Sequence, residues 1–594
     1  MNDDSIITSW PPSSIALGLV VIAYVTYWII SYLQHPLYRF PGPLLASVSS
    51  FPHCLSFLGG RQPYDRLALH EKYGPVVRTS PNELSFSSSQ SWKDIYGSRP
   101  GRQVFRKSPF YEGASFDGKT LSIISETDPA NHKNMRAQLS NAFSDKSLRD
   151  QERLITEPID LFIDQIGEKG DCPQGIDIVV WFNLMTFDII GSLAFGESFG
   201  GLESAKFHEW IQLAVGSMKQ GALGDSLGRY PTIAALVKKL FPGVIDKILQ
   251  DTRKHEAHTM NLVRRSRLTK GSDRPDFLTR VIEECETHGI SELQIAAHSS
   301  DFIIAGSETT ATTLSCATCY LLRDPAIYDK LRKEIRNTFS SYEEINSASA
   351  AKLKLVNAVC LEAMRMYPPL PFALPRVIPQ GGGSVDGHML PEGITVSTNP
   401  FAASMSSANF KNPFNFAPER WLGKNEQDDL DASQPFSYGP RVCMGRSLAW
   451  TELNLTMCKL HHKYHWVLLV EPKSDKSDDK GVRYHAREHI TQEGEPAWFF
   501  ERKLTSKAQT QMVLVRILIA KTEDIDRLAQ LLRQIPIRQE QQGWNCVLWI
   551  KEALSELQMS ANIMGTNVLE WKAVRSAACP IASRRKMSID STAP

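Results

Sequence analysis

The chain has 594 residues, 42% of them apolar and 22% charged, with 66 basic against 65 acidic side chains and a formal net charge of +1. That length exceeds one small core, the usage is globular, and the balanced charge gives no ground for a nucleic-acid partner, which would want a basic face. Ten cysteines are scattered without a repeating pattern, so no disulfide framework is expected and a reducing compartment is.

No Asp, Glu, Lys or Arg occurs over residues 5–38, and 15–33 (IALGLVVIAYVTYWIISYL) is densely apolar. A helix rising about 1.5 Å per residue would make this run match a hydrocarbon core. Trp10, Tyr27, Trp28 and Tyr32 suit the membrane interfaces. A signal peptide wants a basic start and a small-residue cleavage site, whereas this chain opens with Asp3 and Asp4 and the run ends in bulky residues. The expectation is a retained single-pass anchor. Arg39, Arg61, Arg66 and Lys72 follow it and place the remainder on the cytosolic face. Pro41-Gly42-Pro43 reads as a hinge between anchor and body.

Residues 64–461 are mostly helical in pattern, with apolar spacing of three and four over 151–166, 205–219 and 327–339. Short strands are expected near 76–79, 84–86 and 395–397, a turn at Val385-Asp386-Gly387-His388, and a loop at 270–275. The fold class is therefore mainly α with a minor β-sheet. Cys316 and Cys319 form a C-x-x-C without a second pair nearby and read as buried helix residues.

The segment Phe436-Ser-Tyr-Gly439-Pro-Arg441-Val-Cys443-Met-Gly445 carries the strongest chemical signal. Gly439 and Gly445 permit tight turns and the close approach of a flat ligand. Cys443 lies just before an apolar helical run, 448–460, where oriented N–H groups lower a thiol's pKa and suit it to a metal such as iron. Arg441 is placed to meet a carboxylate, and Phe436 to pack beside the sulfur.

This stretch resembles the cytochrome P450 haem-binding loop, F-x-x-G-x-R-x-C-x-G, at every fixed position. The resemblance covers about residues 35–461 and is nearest to fungal secondary-metabolism members such as the trichothecene-pathway hydroxylases. It implies a P450 fold with haem b, Cys443 as axial ligand to the iron, and O2 as co-substrate. Electrons would come from NADPH through NADPH-cytochrome P450 reductase at the endoplasmic reticulum membrane, with the catalytic domain cytosolic. Glu362-Ala-Met-Arg365 resembles the family's E-x-x-R pair, and Arg420, in Phe416-Ala-Pro418-Glu419-Arg420-Trp421, its third member; together they would form a structural lock. Ala305-Gly306-Ser307-Glu308-Thr309-Thr310 resembles the oxygen-binding segment of the long central helix. There the small pair Ala305 and Gly306 admits the haem, a hydroxyl locally opens the helix, and Glu308 and Thr309 deliver protons. His132 and Arg136, four apart on one helical face, and Arg376 match haem-propionate contacts. The variable loop 110–124, with Phe110, Tyr111, Phe116 and Leu121, points to an apolar small-molecule substrate.

After residue 461 the family's usual closing strands are not recognisable, and the text changes character. Residues 498–501 and 512–520 read as strands, 524–534 and 544–557 as helices, and the tail from 583 as disordered. This block resembles a fungal domain of unknown function. It is also similar to papain-like folds, with Cys546 at a helix start and His465 or His485 as partner. The expected division is 1–40 anchor and hinge, 41–462 haem domain, 463–582 small α+β domain, and 583–594 tail. The junction is either a true fusion or two neighbouring genes joined in one reading frame. A monooxygenase is the leading expectation. The alternatives are a haem-thiolate isomerase or dehydratase, and a defective P450 fused to an interaction or papain-like module.

Overall fold

The computed structural model describes residues 12–464 except 99–100, 102, 171–176, 197, 269–286, 288 and 424–426; beyond 464 it describes 468–470, 480–490, 496–506, 520–522, 534 and 564–567. The described body is mainly helical with small sheets, as the apolar spacing suggests. The three periodic stretches become helices Glu152–Gly170, Glu209–Gly228 and Pro325–Thr338. The second begins later than its pattern because the His208 side chain caps it, accepting from the Trp210 N–H. Loop 270–275 lies outside the described residues.

The core forms where the apolar helix Ile178–Phe195 meets the long central helix Glu292–Leu321. The first is capped by Asp177, whose carboxylate accepts from the Val179 and Val180 N–H groups, and stopped by Gly196 at φ 71°. It is long and apolar enough to cross a membrane, yet most of it is buried among other helices, so it is a core helix. Helix Glu152–Gly170 adds Ile155, Ile159, Phe162, Ile163 and Ile166, a buried stripe at helical spacing. Helix Arg446–Lys463, which follows the cysteine loop, packs into the same core through Leu453, Leu455, Met457 and Leu460.

The expected strands appear as Val76–Ser80, Glu83–Phe86 and Thr395–Thr398. With Arg376–Val377 and Arg106–Lys107 they make one five-stranded sheet in the order 76–80, 83–86, 395–398, 376–377, 106–107. The 83–86 and 395–398 strands are parallel; the other neighbours are antiparallel. Asp386 and Gly387, at φ 50° and 78°, form the expected turn between Gly383–Val385 and His388–Leu390, both central residues left-handed as a tight hairpin requires.

Helix Pro12–Gln34 spans the charge-free run, and Leu19, Val20, Ile22, Tyr27, Ile30 and Leu33 on it are exposed. The expected hinge is instead fixed to the sheet. Leu37 and Phe40 are buried, the Arg78 N–H donates to the Pro41 carbonyl at 2.8 Å, and a Cβ on Gly42 would fall 2.3 Å from the Arg78 carbonyl oxygen. Arg66 is buried, its guanidinium 2.7 Å from His53 Nδ1, so it is no free surface charge.

Tyr464 closes the described body. Its hydroxyl donates to the Ile163 carbonyl at 2.7 Å, and its own carbonyl accepts from the Tyr328 hydroxyl at 3.0 Å. Beyond it, Lys480–Ile490 pairs antiparallel with Pro496–Ser506 and with Leu468–Val470, and Ala520–Thr522 with Met564–Asn567. The strand expected at 498–501 falls within Pro496–Ser506. The strand at 512–520 and the helices at 524–534 and 544–557 fall mostly outside the described residues, and the 583–594 tail wholly so.

Candidate active site

Cys443 is held by backbone geometry on both sides. Its N–H donates to the Phe436 carbonyl at 2.9 Å, and Arg136 Nη1 donates to the Val442 carbonyl at 2.7 Å. Gly439, at φ 75°, makes the sharp turn, and any Cβ there would fall 2.1 Å from the Tyr96 carbonyl oxygen. Gly445 does not serve a turn: its φ is −78°, and a Cβ would meet only Cys443 Sγ, at 4.0 Å, so its smallness leaves space beside the sulfur. Phe436 packs against Trp450, ring centres 6.0 Å apart, with the Arg446 guanidinium over its face.

The thiol's pKa runs opposite to the sequence expectation. Burial raises it, and the Gly445 N–H, Arg136 and Arg446 only partly offset that. The side chain nevertheless opens onto the cavity. Protein around the sulfur desolvates it more strongly than one helix start can compensate, so the anion needs a cation at the sulfur to persist.

A cavity of about 340 Å³ lies over Cys443. It gathers His132, Arg136, Ala305, Gly306, Thr309, Arg376, Phe436, Arg441, Cys443 and Gly445 from five separate stretches of chain. Gly439 and Glu308 are not on its wall; Gly439 acts through the turn, and Glu308 is half-buried on the central helix. Cys316 and Cys319 are half-buried on that same helix, and no metal-binding cluster occurs among the described residues. Of the variable loop, Tyr111 lines the cavity, Phe116 belongs to the core, and Phe110 faces a separate small chamber. The apolar contacts in this region come instead from Ile123 and Ile124.

The central helix is unbroken across 305–310. The Thr309 hydroxyl donates to the Ala305 carbonyl at 2.8 Å, and no local opening accompanies it. Gly306 serves packing as well as the cavity: a methyl there would stand 3.1 Å from Ile190 Cδ1 on helix Ile178–Phe195.

Positive charge is concentrated on one side of the cavity. Arg136, Arg376 and Arg441 are joined there by Lys107, which the sequence reading missed. Their placed hydrogen bonds go to neutral oxygens: Arg441 Nη1 to the Phe105 carbonyl at 2.8 Å, Arg376 Nη1 to the Tyr111 hydroxyl at 2.9 Å, and Lys107 Nζ to the Ile123 and Ile124 carbonyls at 2.8 and 2.7 Å. Arg441 Nη2 is buried without a partner. Burial and the neighbouring Arg376 and Arg441 push the Lys107 pKa down to about 7; burial and Arg376 bring Arg441 to about 10. Burial, with the same cations, drives His132 to about 3, so it is a neutral imidazole at physiological pH. Desolvated, mutually repelling cations beside an apolar cavity suit an anionic ligand with more than one carboxylate. A haem, with two propionates and an iron that takes a sulfur ligand, fits these residues.

Behind the cysteine loop, the structure brings Glu362, Arg365 and Arg420 together. Glu362 and Arg365 are fully buried and joined by two bonds of 2.8 Å; Arg420 Nε reaches Glu362 at 3.3 Å. Trp421 Nε1 and the Ala417 N–H also donate to the same carboxylate. Asp301 and Glu452 also line the cavity and were not anticipated. Asp301 had a signal: it stands four residues before Ala305 and eight before Thr309, on their helical face. Lys107 had none, since only the fold brings its strand to the site. Cys546 and His465 lie outside the described residues; His485 is on strand Lys480–Ile490, in register with Glu501.

Family comparisons agree with this geometry. The cytochrome P450 model matches residues 44–510, and a family of unknown function, DUF6914, matches 453–588, so the two overlap over 453–510 and the expected boundary at 463 falls inside the overlap. The chain is 52% identical over 455 residues to "Cytochrome P450 monooxygenase ORF11" of Penicillium roqueforti, covering 77% of this chain and 94% of that protein. It is 40% identical over 454 residues to "Cytochrome P450 monooxygenase BipB" of Cochliobolus sativus, covering 75% and 89%. It is 40% identical over 464 residues to "Cytochrome P450 monooxygenase BOA3" of Botryotinia fuckeliana, covering 76% and 90%.

Proposed function

Because the chain belongs to the cytochrome P450 family and is a monooxygenase of that class, we propose that Cys443 ligates a haem b and that the enzyme inserts one atom of O2 into a largely apolar small molecule of fungal secondary metabolism. The observation that carries this is one cavity holding both the Cys443 sulfur and the cation group Lys107, Arg136, Arg376 and Arg441.

The haem supplies the oxidising chemistry when bound, thiolate ligation favouring O–O cleavage, and the protein's work is to hold, orient and shield. The Phe436 and Val442 carbonyls fix the cysteine loop from two sides. The cations neutralise the propionates and so set the ring's orientation. Ala305 keeps the central-helix wall thin. Thr309 Oγ1, which spends its proton on the Ala305 carbonyl, keeps its lone pairs as an acceptor, and Glu308 is the neighbouring acid of the proposed proton route. Phe143, Phe302, Ile123, Ile124 and Leu374 exclude water around an apolar substrate.

Electrons come from NADPH through a membrane-bound reductase, and helix Pro12–Gln34 anchors the chain in the endoplasmic reticulum membrane with the haem domain, 41–462, in the cytosol. The block 463–582 is a separate α+β domain of unassigned role. The deciding test is Cys443→Ser. The wild type, reduced under carbon monoxide, gives the thiolate-type absorption band near 450 nm, and the variant loses it; a variant that kept the band would overturn the ligand assignment.

A further inference from the structure

Four of the cavity's ionisable groups, Lys107, Arg136, Arg376 and Arg441, are accounted for by a dianionic ring. Asp301 is not. It sits on the central helix one turn before Ala305, and its side chain is part of the cavity wall. Its neighbours there are apolar: Phe302 and Ala305 on its own helix, Ile123 and Ile124 on the facing loop.

The carboxyl has local structural partners. Oδ2 accepts from the Ile124 N–H at 3.2 Å, and the Ser122 hydroxyl bonds to the same group. The loop is tied from two further sides, by Lys107 Nζ on the Ile123 and Ile124 carbonyls and by His298 Nδ1, which accepts from the Ile123 N–H at 3.2 Å. Anchoring the loop asks Asp301 only for an acceptor oxygen. An asparagine would offer one without the penalty of placing an ionisable acid among hydrocarbon. That penalty is evident, since burial pushes the Asp301 pKa up to about 7, beyond what Ser122, the Ile124 N–H and Lys107 offset. A carboxyl facing an apolar chamber, with one oxygen beyond the loop's need, is a hydrogen-bonding pole for whatever fills the chamber.

We propose that Asp301 is a specificity-determining residue and that the substrate is an apolar skeleton bearing one oxygen function, a ketone or hydroxyl, held against this carboxyl while another part of the skeleton reaches the reacting centre. The inference rests on the reading of the cavity as the substrate chamber and narrows the substrate class. A pocket built to hydrogen-bond a polar group discriminates far more sharply than one that only matches shape.

The test uses the haem-loaded full-length enzyme and two probes of nearly equal shape, 4-cyclohexylcyclohexanone and bicyclohexyl, with dissociation constants from equilibrium dialysis. The wild type binds the ketone at least as tightly as the hydrocarbon; hydrocarbon binding tighter by about tenfold, as desolvation of an unmatched carbonyl requires, would overturn the proposal. In Asp301→Leu the preference for ketone over hydrocarbon drops by about tenfold while bicyclohexyl affinity holds or improves. An unchanged preference, with both affinities falling together, would show that Asp301 only anchors the loop and would overturn it. If Asp301→Leu fails to fold, the wild-type comparison decides alone. The reduced carbon monoxide spectrum is recorded on each sample, so a failure of thiolate ligation is distinguished from a failure of the subsite.

Discussion

Glu362 shows how one carboxylate organises a region. Five donors converge on it from Arg365, Arg420, Trp421 and the Ala417 backbone. Removing its charge leaves two buried guanidiniums without their counterion, so Glu362→Gln should destabilise the fold by about 3–5 kcal/mol, measured by urea unfolding. The same chemistry at the surface would be worth little. The pair was legible as E-x-x-R; Trp421 was not given a role, because only the folded loop turns its indole N–H inward. Glu452 works differently. It is buried on helix Arg446–Lys463 beside Thr310, with Oε2 lacking a partner, and burial raises its pKa to about 8. The folded state therefore favours the neutral acid. Its contribution is fully present below about pH 4.5 and is lost as pH rises toward 8. Relative to wild type, Glu452→Gln should gain stability across that window, by at most about 1.4 kcal/mol per pH unit. A difference that is flat with pH in paired unfolding curves would count against this.

At the level of elements, the junction of helix Ile178–Phe195 with the central helix sets the cavity's back wall. Gly306 stands where the two approach, and the atom in its way is Ile190 Cδ1. Gly306→Ala should be destabilising by about 1–3 kcal/mol through overpacking. Ile190→Val removes that same atom, so the double variant should recover part of the loss, a favourable coupling readable in a double-mutant cycle. A purely additive cycle would mean that the contact does not limit the approach. Sequence periodicity located these helices but could not say which residues touch across them. Gly306 was therefore credited to the cavity alone. The thiol expectation failed for a related reason: a helix start is visible in sequence, while the desolvation around Cys443 depends on the whole pocket. The sheet was half-legible. Three of its strands carry apolar, β-branched text, but Arg106–Lys107 and Arg376–Val377 are two residues each and gain their identity only by pairing.

Across the whole molecule, the charge-free start and the exposed apolar face of helix Pro12–Gln34 make a membrane prediction. Deleting residues 1–34 should let a carbonate wash release the enzyme from membranes, while the full chain stays in the pellet; equal release of both would remove the anchor assignment. The cut belongs before Leu37, since Leu37, Phe40 and Pro41 are part of the sheet's packing. The C-terminal block was the least legible part. Its early strands pair with one another, whereas its recognisable chemistry, Cys546 and His465, has no described setting.

The clamp on Tyr464 has an evolutionary consequence. Its hydroxyl and carbonyl are both engaged, and a Cβ on Gly167 would crowd that hydroxyl at 2.6 Å. The thiolate-bearing helix is thus secured at its far end by residues that precede the overlap's second half. Recombination downstream of this tyrosine exchanges what the enzyme carries without loosening what grips the iron, which makes the position a natural seam at which new modules could be tried.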